Sequence, residues 1–207
     1  MLLYLVKHSR PDIANATREL SKCMDRATPA AFKEMLRVIK FVPDTKDYGL
    51  KIRPLQLDLS NPKWNLVVYS DSDWAGDKEK RTSVTGFIIF FMDVPIIWKS
   101  KAQASVALSS TKAEYYAISE AAKEAKFVYQ LLKGLGIEIE LPIIMRVDNV
   151  GAIFMSENPG GSSRTRHIDT RYHFVKEFIE DGFIKIIFVK SAENKSDGFT
   201  KNTSSDV

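Results

Sequence analysis

Val67-Val68-Tyr69-Ser70-Asp71-Ser72-Asp73-Trp74 is an apolar strand that runs straight into carboxylates. Alternate residues of a strand share a face, so Val67, Tyr69 and Asp71 point one way and Leu66, Val68 and Ser70 the other. A carboxylate at the last inward position is costly to bury alone. It calls for a turn to solvent, a cationic partner or a metal. Asp73 would share a face with Asp71, and spacing alone does not separate the two.

Downstream, the pattern predicts a polar loop over 74–84 and a second strand, Gly86–Met92. Asp93-Val94-Pro95 turns into Ile96-Ile97-Trp98, and Ala104–Leu108 reads as a third strand. Short connections between these predict an antiparallel meander. A helix over 111–133 follows, stopped by Gly134 and Gly136, then a fourth strand, Ile143–Val147, and a short helix. After a loop over 156–168 rich in Gly, Ser and Arg come a helix near 169–181, a strand Phe183–Val189 and a last short helical piece. A meander, a crossover helix and a return to the sheet make a mixed α/β domain.

Upstream, residues 1–53 read as helices. Pro11-Asp12 opens one, with Ile13, Ala16, Leu20 and Met24 at helical spacing. Thr28-Pro29 opens another, with Phe32, Met35, Leu36, Ile39 and Val42, ended by Pro43. Pro54 and Asn61-Pro62 supply turn chemistry for a linker.

The chain has 207 residues, 44% apolar and 27% charged, enough for one medium core or one domain with an appendage. No apolar run approaches the roughly 20 residues that span a bilayer, and the apolar start Met1–Val6 is too short for a signal peptide. Cys23 stands alone, so no internal disulfide forms, which suits a reducing, intracellular setting. Up to Arg53 there are 11 Lys and Arg against 6 Asp and Glu, while the remainder is nearly balanced. Positive charge gathered at one end suits a polyanionic partner.

Three further acids join Asp71. Glu114 lies on the stripe formed by Ile118, Ala121, Ala122, Ala125, Val128 and Leu132, the face that should meet the sheet. Thr111-Lys112-Ala113-Glu114 is also a legitimate capping box, which would use the same carboxylate. Asp148 ends the fourth strand, and Asn149 is equally able to cap the helix that follows. Asp197 sits in the last helical piece. Two acids at strand ends and two on helices are able to converge at one edge of the sheet. Clustered carboxylates repel one another unless cations neutralise them. A pair of divalent ions resolves the conflict, and all-oxygen ligands favour Mg²⁺ or Mn²⁺ over zinc. Arg164, Arg166, His167 and Arg171 form a basic cluster suited either to phosphate contact or to a solvated loop.

These residues also resemble a family. Tyr69–Asp77, Thr82–Gly86, Trp98–Gln103, Ser109–Tyr115, Asp148-Asn149, Arg164–Asp169, Tyr172-His173-Phe174 and Asp197–Lys201 are similar to the ribonuclease H domain of copia-type LTR retrotransposon polyproteins. Ser9–Ala14 and Asp47–Leu50 resemble the end of the adjoining reverse transcriptase, its thumb or connection region. No Tyr-x-Asp-Asp polymerase motif is present. The resemblance implies a ribonuclease H-like fold: a five-stranded mixed sheet flanked by helices over 65–201, a helical segment over 1–60, and a tail over 202–207. It implies hydrolysis of the RNA strand of RNA–DNA hybrids with two Mg²⁺ ions (Mn²⁺ substituting), held by Asp71, Glu114, Asp148 and Asp197. It assigns nucleic-acid contacts to Ser110, Asn149, Arg164, Arg166, His167 and Arg171. The implied partners are the hybrid and the polymerase domain of the same polyprotein, with no membrane, inside the cell in cytoplasm, virus-like particle or nucleus. A domain that binds hybrid without cutting it is the alternative. Gly198 departs from the family, where a bulky apolar residue is usual, and so bears on how firmly Asp197 is held.

Overall fold

Five strands form one mixed sheet: β1 (Leu66–Asp73), β2 (Val84–Phe91), β3 (Val94–Ala102), β4 (Ile143–Val147) and β5 (Ile184–Phe188). The computed structural model describes residues 1–50, 52, 63–77, 80–157 and 169–201. Strand order is β3-β2-β1-β4-β5, with β1 antiparallel to β2, β2 antiparallel to β3, and β1, β4 and β5 parallel. The parallel step from the meander to β4 requires a crossover, supplied by α4 (Ser110–Gly134). Gly136, in a left-handed conformation at φ +80°, turns the chain beyond that helix.

One face of the sheet carries the main core. Leu66, Val68, Phe87, Ile89, Met145 and Ile184 pack there against Ile118, Ala121, Ala122, Ala125 and Val128 of α4. The run of alanines lets this helix approach the strands closely. α5 (Val150–Glu157) and α6 (Asp169–Glu180) complete that layer, contributing Ala152 and Val175. The alternation in β1 has the predicted sense, with Leu66 and Val68 on this face and Tyr69 and Val67 on the other.

The opposite face is covered from the N-terminus. α1 (Leu2–His8) and α2 (Ala14–Ser21) lie against the meander, joined by a 3-10 turn at Pro11–Ile13. Ala14 packs with Tyr69, Ile88, Phe90 and Phe199, and the Trp98 indole donates to the Val6 carbonyl at 2.6 Å. α3 (Pro29–Asp44) is capped by Thr28, whose hydroxyl accepts from the Ala31 N–H. It is tied back through Arg10, which pairs with Asp12 at 2.7 Å and donates to Thr45 and to the Val42 carbonyl. Among the described residues, no helix is long and apolar enough to cross a membrane.

The structure corrects several local expectations. Ala104–Leu108 is not a strand: β3 runs unbroken from Val94 to Ala102, and Val106 and Leu108 are exposed. The hairpin before it turns at Met92-Asp93, both at positive φ, two-residue geometry that matches strand twist. Met24 falls beyond α2 and is exposed. The last helical piece is only two 3-10 turns, Ser191–Glu193 and Asp197–Phe199.

Candidate metal centre

Asp71 is the sixth residue of β1 and is 1% exposed. Its register partner on β2 is Gly86, and the choice of glycine has a steric cause. A Cβ at Gly86 would stand 2.6 Å from Thr200 Cγ2 and 2.8 Å from Phe199 Cβ. The turn carrying Asp197 therefore lies directly on the sheet beside Asp71. Asn194 fixes that approach: its amide donates to the Ser70 carbonyl at 3.1 Å, while its oxygen accepts from the Ser196 hydroxyl at 2.6 Å.

Asp71, Asp148 and Asp197 each present a carboxylate oxygen, and the three oxygens lie within 4.8 Å of one another. Oxygens shared by one ion at about 2.1 Å are separated by at most about 4.2 Å, so small side-chain adjustments suffice. Asp148 reaches the cluster because Asn149 performs the capping of α5, its side-chain oxygen accepting from the Ala152 N–H at 2.9 Å. Asp73 lies outside the group, folded over the turn at Gly76.

Glu114 stands at the margin of the triad. The alternative, a capping box that uses Glu114, does not form: Ser109 caps α4, its hydroxyl accepting from the Lys112 N–H at 3.2 Å. Glu114 is 5% exposed and its Oε1 accepts from the Ser72 N–H at 3.2 Å, leaving Oε2 buried without a partner among the described residues. Burial pushes its carboxyl up to about 8, and the nearby Asp71 and Asp148 charges add to the rise. Its oxygens are not among those within 4.8 Å of the other three.

Burial likewise raises Asp71 to about 6; the Thr200 hydroxyl, which donates to Asp71 Oδ2, and the Lys201 ammonium oppose that rise, while the Asp197 and Asp148 charges add to it. Lys201 Nζ lies 3.0 Å from Asp197 Oδ1 and 3.5 Å from Asp71 Oδ1. Burial lowers its pKa, but the surrounding carboxylates outweigh burial and hold it above the usual lysine value. Two acids raised by burial and by one another's charge, an unpartnered carboxylate oxygen and an ammonium drawn among carboxylates all mark a concentration of negative charge. A divalent cation fits this donor set, which is all oxygen and clustered to ion-binding spacing.

Of the remaining site expectations, Ser110 is the exposed first residue of α4 and Asn149 is half-buried. Arg164, Arg166 and His167 lie outside the described residues; Arg171 belongs to α6, but its side chain is likewise not described. Two participants escaped sequence reasoning, Thr200 and Lys201, although both stand in the quoted stretch Asp197–Lys201. Their spacing of three and four from Asp197 was the available signal, since a tight turn brings both back to the same edge.

No family model matches the chain. It is 33% identical over 199 residues to the retrovirus-related Pol polyprotein from transposon RE1 of Arabidopsis thaliana, covering 96% of this chain and 13% of that polyprotein. It is 33% identical over 200 residues to the corresponding polyprotein from transposon TNT 1-94 of Nicotiana tabacum, covering 97% and 14%. The chain thus spans about one-seventh of these relatives. Among solved structures, LC11-RNase H1, isolated from compost, superposes with a TM-score of 0.50 at 12% identity, covering 66% of this chain and 92% of that one. That likeness concerns the fold: a ribonuclease H-like mixed sheet with flanking helices.

Proposed function

This chain belongs to the copia-type retrovirus-related Pol polyproteins, and from that premise we propose that residues 65–201 act as a metal-dependent endonuclease on the RNA strand of RNA–DNA hybrids, leaving 3′-hydroxyl and 5′-phosphate ends. The observation that carries the reading is the triad: Asp71, Asp148 and Asp197, distant in sequence, offer oxygens within 4.8 Å of one another beside the buried Glu114. Mg²⁺ is the ion that best suits an all-carboxylate donor set, with Mn²⁺ able to replace it. Two such ions, when bound, supply an activated water and a counter-charge for the leaving oxygen.

In this reading Asp71, Asp148 and Asp197 would hold the ions together with Glu114, which would also meet the 2′-hydroxyl region of the RNA. Asn149 keeps Asp148 free by capping α5, and Thr200 orients one oxygen of Asp71. Recognition rests on duplex shape, 2′-hydroxyls and phosphates, with little sequence preference. Exposed Ser110 at the start of α4 and the basic cluster at Arg164, Arg166, His167 and Arg171 supply contacts. The polymerase domain of the same polyprotein is the partner that presents the hybrid.

The test uses hybrid, RNA duplex and DNA duplex with Mg²⁺. Cleavage is expected on hybrid alone, lost with EDTA and in Asp148→Asn. Lys201 favours a second reading, a domain that binds hybrid without cutting it, because its ammonium already neutralises part of the cluster. Hybrid binding without cleavage, indifferent to acid-to-amide changes, would select that reading.

A further inference from the structure

The segment resembling the polymerase end does more than cover the sheet. Arg18 of α2 has a side chain only 10% exposed, and its Nε donates to the Ser100 hydroxyl on β3 at 2.9 Å. Ser100 Oγ in turn donates to the Phe199 carbonyl at 2.5 Å. The direction of this chain of bonds is fixed by chemistry. A guanidinium only donates and a carbonyl only accepts, so the hydroxyl must take from Arg18 and give to Phe199. The charge on Arg18 polarises the Ser100 hydroxyl and strengthens its bond to Phe199.

Phe199 is the last residue of the 3-10 turn that begins at Asp197 and is followed by Thr200 and Lys201. The turn closes its own backbone bonds, Phe199 N–H to the Ser196 carbonyl and Thr200 N–H to the Asp197 carbonyl, each at 3.0 Å, which fix its shape; where it sits on the sheet is set by what grips it from outside. The Asn194 amide grips the Ser70 carbonyl of β1, Thr200 bonds Asp71 and the Phe199 ring packs against Tyr69 and Phe90; the Arg18–Ser100 pair adds a grip on the Phe199 carbonyl itself. Arg18 is itself anchored by the Asn15 side chain at 2.5 Å and by Glu19 at 2.6 Å.

We propose that Arg18 is a positioning residue of the metal centre, acting through Ser100 to hold the turn that presents Asp197 and Thr200 to Asp71. The N-terminal segment is then part of the site's scaffold, and its docking sets how well the carboxylates meet. This rests on the nuclease reading for its consequence, but not for its mechanics.

The test measures Mn²⁺ affinity by titration of the paramagnetic signal, kcat and KM on hybrid, and amide hydrogen exchange at Phe199 and Thr200. The full-length variants are Arg18→Met, Ser100→Ala, the double variant, and the conservative Arg18→Lys and Ser100→Thr. Loss of a partner that orients a ligand weakens metal binding by about tenfold or more. Arg18→Met and Ser100→Ala should each raise the Mn²⁺ Kd about tenfold, lower kcat with KM within about twofold, and speed exchange at both amides. The double variant should be no worse than either single, because both break one path. Arg18→Lys and Ser100→Thr should recover most of the affinity. Wild-type affinity and exchange in folded Arg18→Met and Ser100→Ala would overturn the proposal, as would additive losses in the double variant. Should Arg18→Met fail to fold, Ser100→Ala, which removes one oxygen, decides alone. If the wild type takes no ion and cuts no hybrid, the nuclease reading fails, and exchange at Phe199 and Thr200 still decides the relay.

Discussion

Glu114→Gln should stabilise the protein in the absence of metal, and by an amount that grows with pH. In the folded chain burial, with the Asp71 and Asp148 charges, raises the Glu114 carboxyl from 4.5 to about 8. Between those values the folded state holds a proton that the unfolded chain has released. Stability therefore falls as pH rises through this window, and it levels off above about 8. At about 1.4 kcal/mol per pH unit the ceiling on the penalty is about 5 kcal/mol. Asp71 shares the same repulsion, so the two contributions do not add. Glutamine carries no charge, its carbonyl keeps the Ser72 N–H bond, and its amide stands where Oε2 has no partner. Urea unfolding in EDTA at pH 5 and pH 8 measures the effect. The variant should match the wild type near pH 5 and exceed it by roughly 2–5 kcal/mol at pH 8. With saturating Mg²⁺ the order should narrow, because an ion at a hundred times its Kd adds about 2.7 kcal/mol to the form that binds it better. A difference that does not change with pH, or a variant less stable at pH 8 in EDTA, refutes the placement of Glu114 beside the other acids.

Gly86→Ala should lose about 1–3 kcal/mol of stability by overpacking and abolish tight metal binding, since the new methyl strikes Thr200 and Phe199; calorimetry with Mn²⁺ reads both. Asp93 sits at φ +63° in the β2–β3 turn, so Asp93→Gly should add about 1 kcal/mol, seen as a Tm rise of about 2–4 °C with cleavage unchanged. Lys201→Met frees Asp71 Oδ1 and Asp197 Oδ1 from a half-exposed ammonium worth about 1 kcal/mol, so the Mn²⁺ Kd should drop roughly fivefold. An unchanged or higher Kd would mean that the lysine does not compete with the ion.

What the sequence made legible follows from where local chemistry and tertiary demand agree. β1 was readable because its apolar alternation and its buried position ask for the same residues, and the crossover to β4 follows once a long helix separates two strands. Ala104–Leu108 misled because Ala104, Val106 and Leu108 alternate with Ser105 and Ala107 as a strand would, yet Val106 and Leu108 lie exposed and the stretch joins no sheet. Instead the loop gives the Ala107 carbonyl to the Trp74 indole at 2.9 Å. β3 runs on past Trp98 through Lys99 and Lys101, because an edge strand carries charged side chains without cost.

The α4 cap decides the most. Ser109 and Thr111 are both good capping residues, and the choice between them is invisible in a local window. Were Thr111 the cap, Glu114 would fall three residues on, where it would reach back to the Thr111 N–H and leave the sheet. With Ser109 at φ −153° and ψ 160° as the cap, the helix starts two residues earlier, and Glu114 lies past the reach of any cap. The carboxylate then finds the Ser72 N–H across the sheet, 42 residues away in sequence. An exposed capping bond adds about 1 kcal/mol, whereas burying Glu114 here costs up to about 5 kcal/mol once the pH passes about 8, so the Glu114 side chain by itself would be better served by a cap at Thr111. That the chain starts the helix at Ser109 means the buried position is maintained by packing around it. Ala113, Tyr115, Ala117 and Ile118 are each no more than 1% exposed, so the residues on either side of Glu114 are fixed in the core. Glu114 is thus held among like charges by the apolar residues on either side of it, an arrangement that a divalent ion relieves.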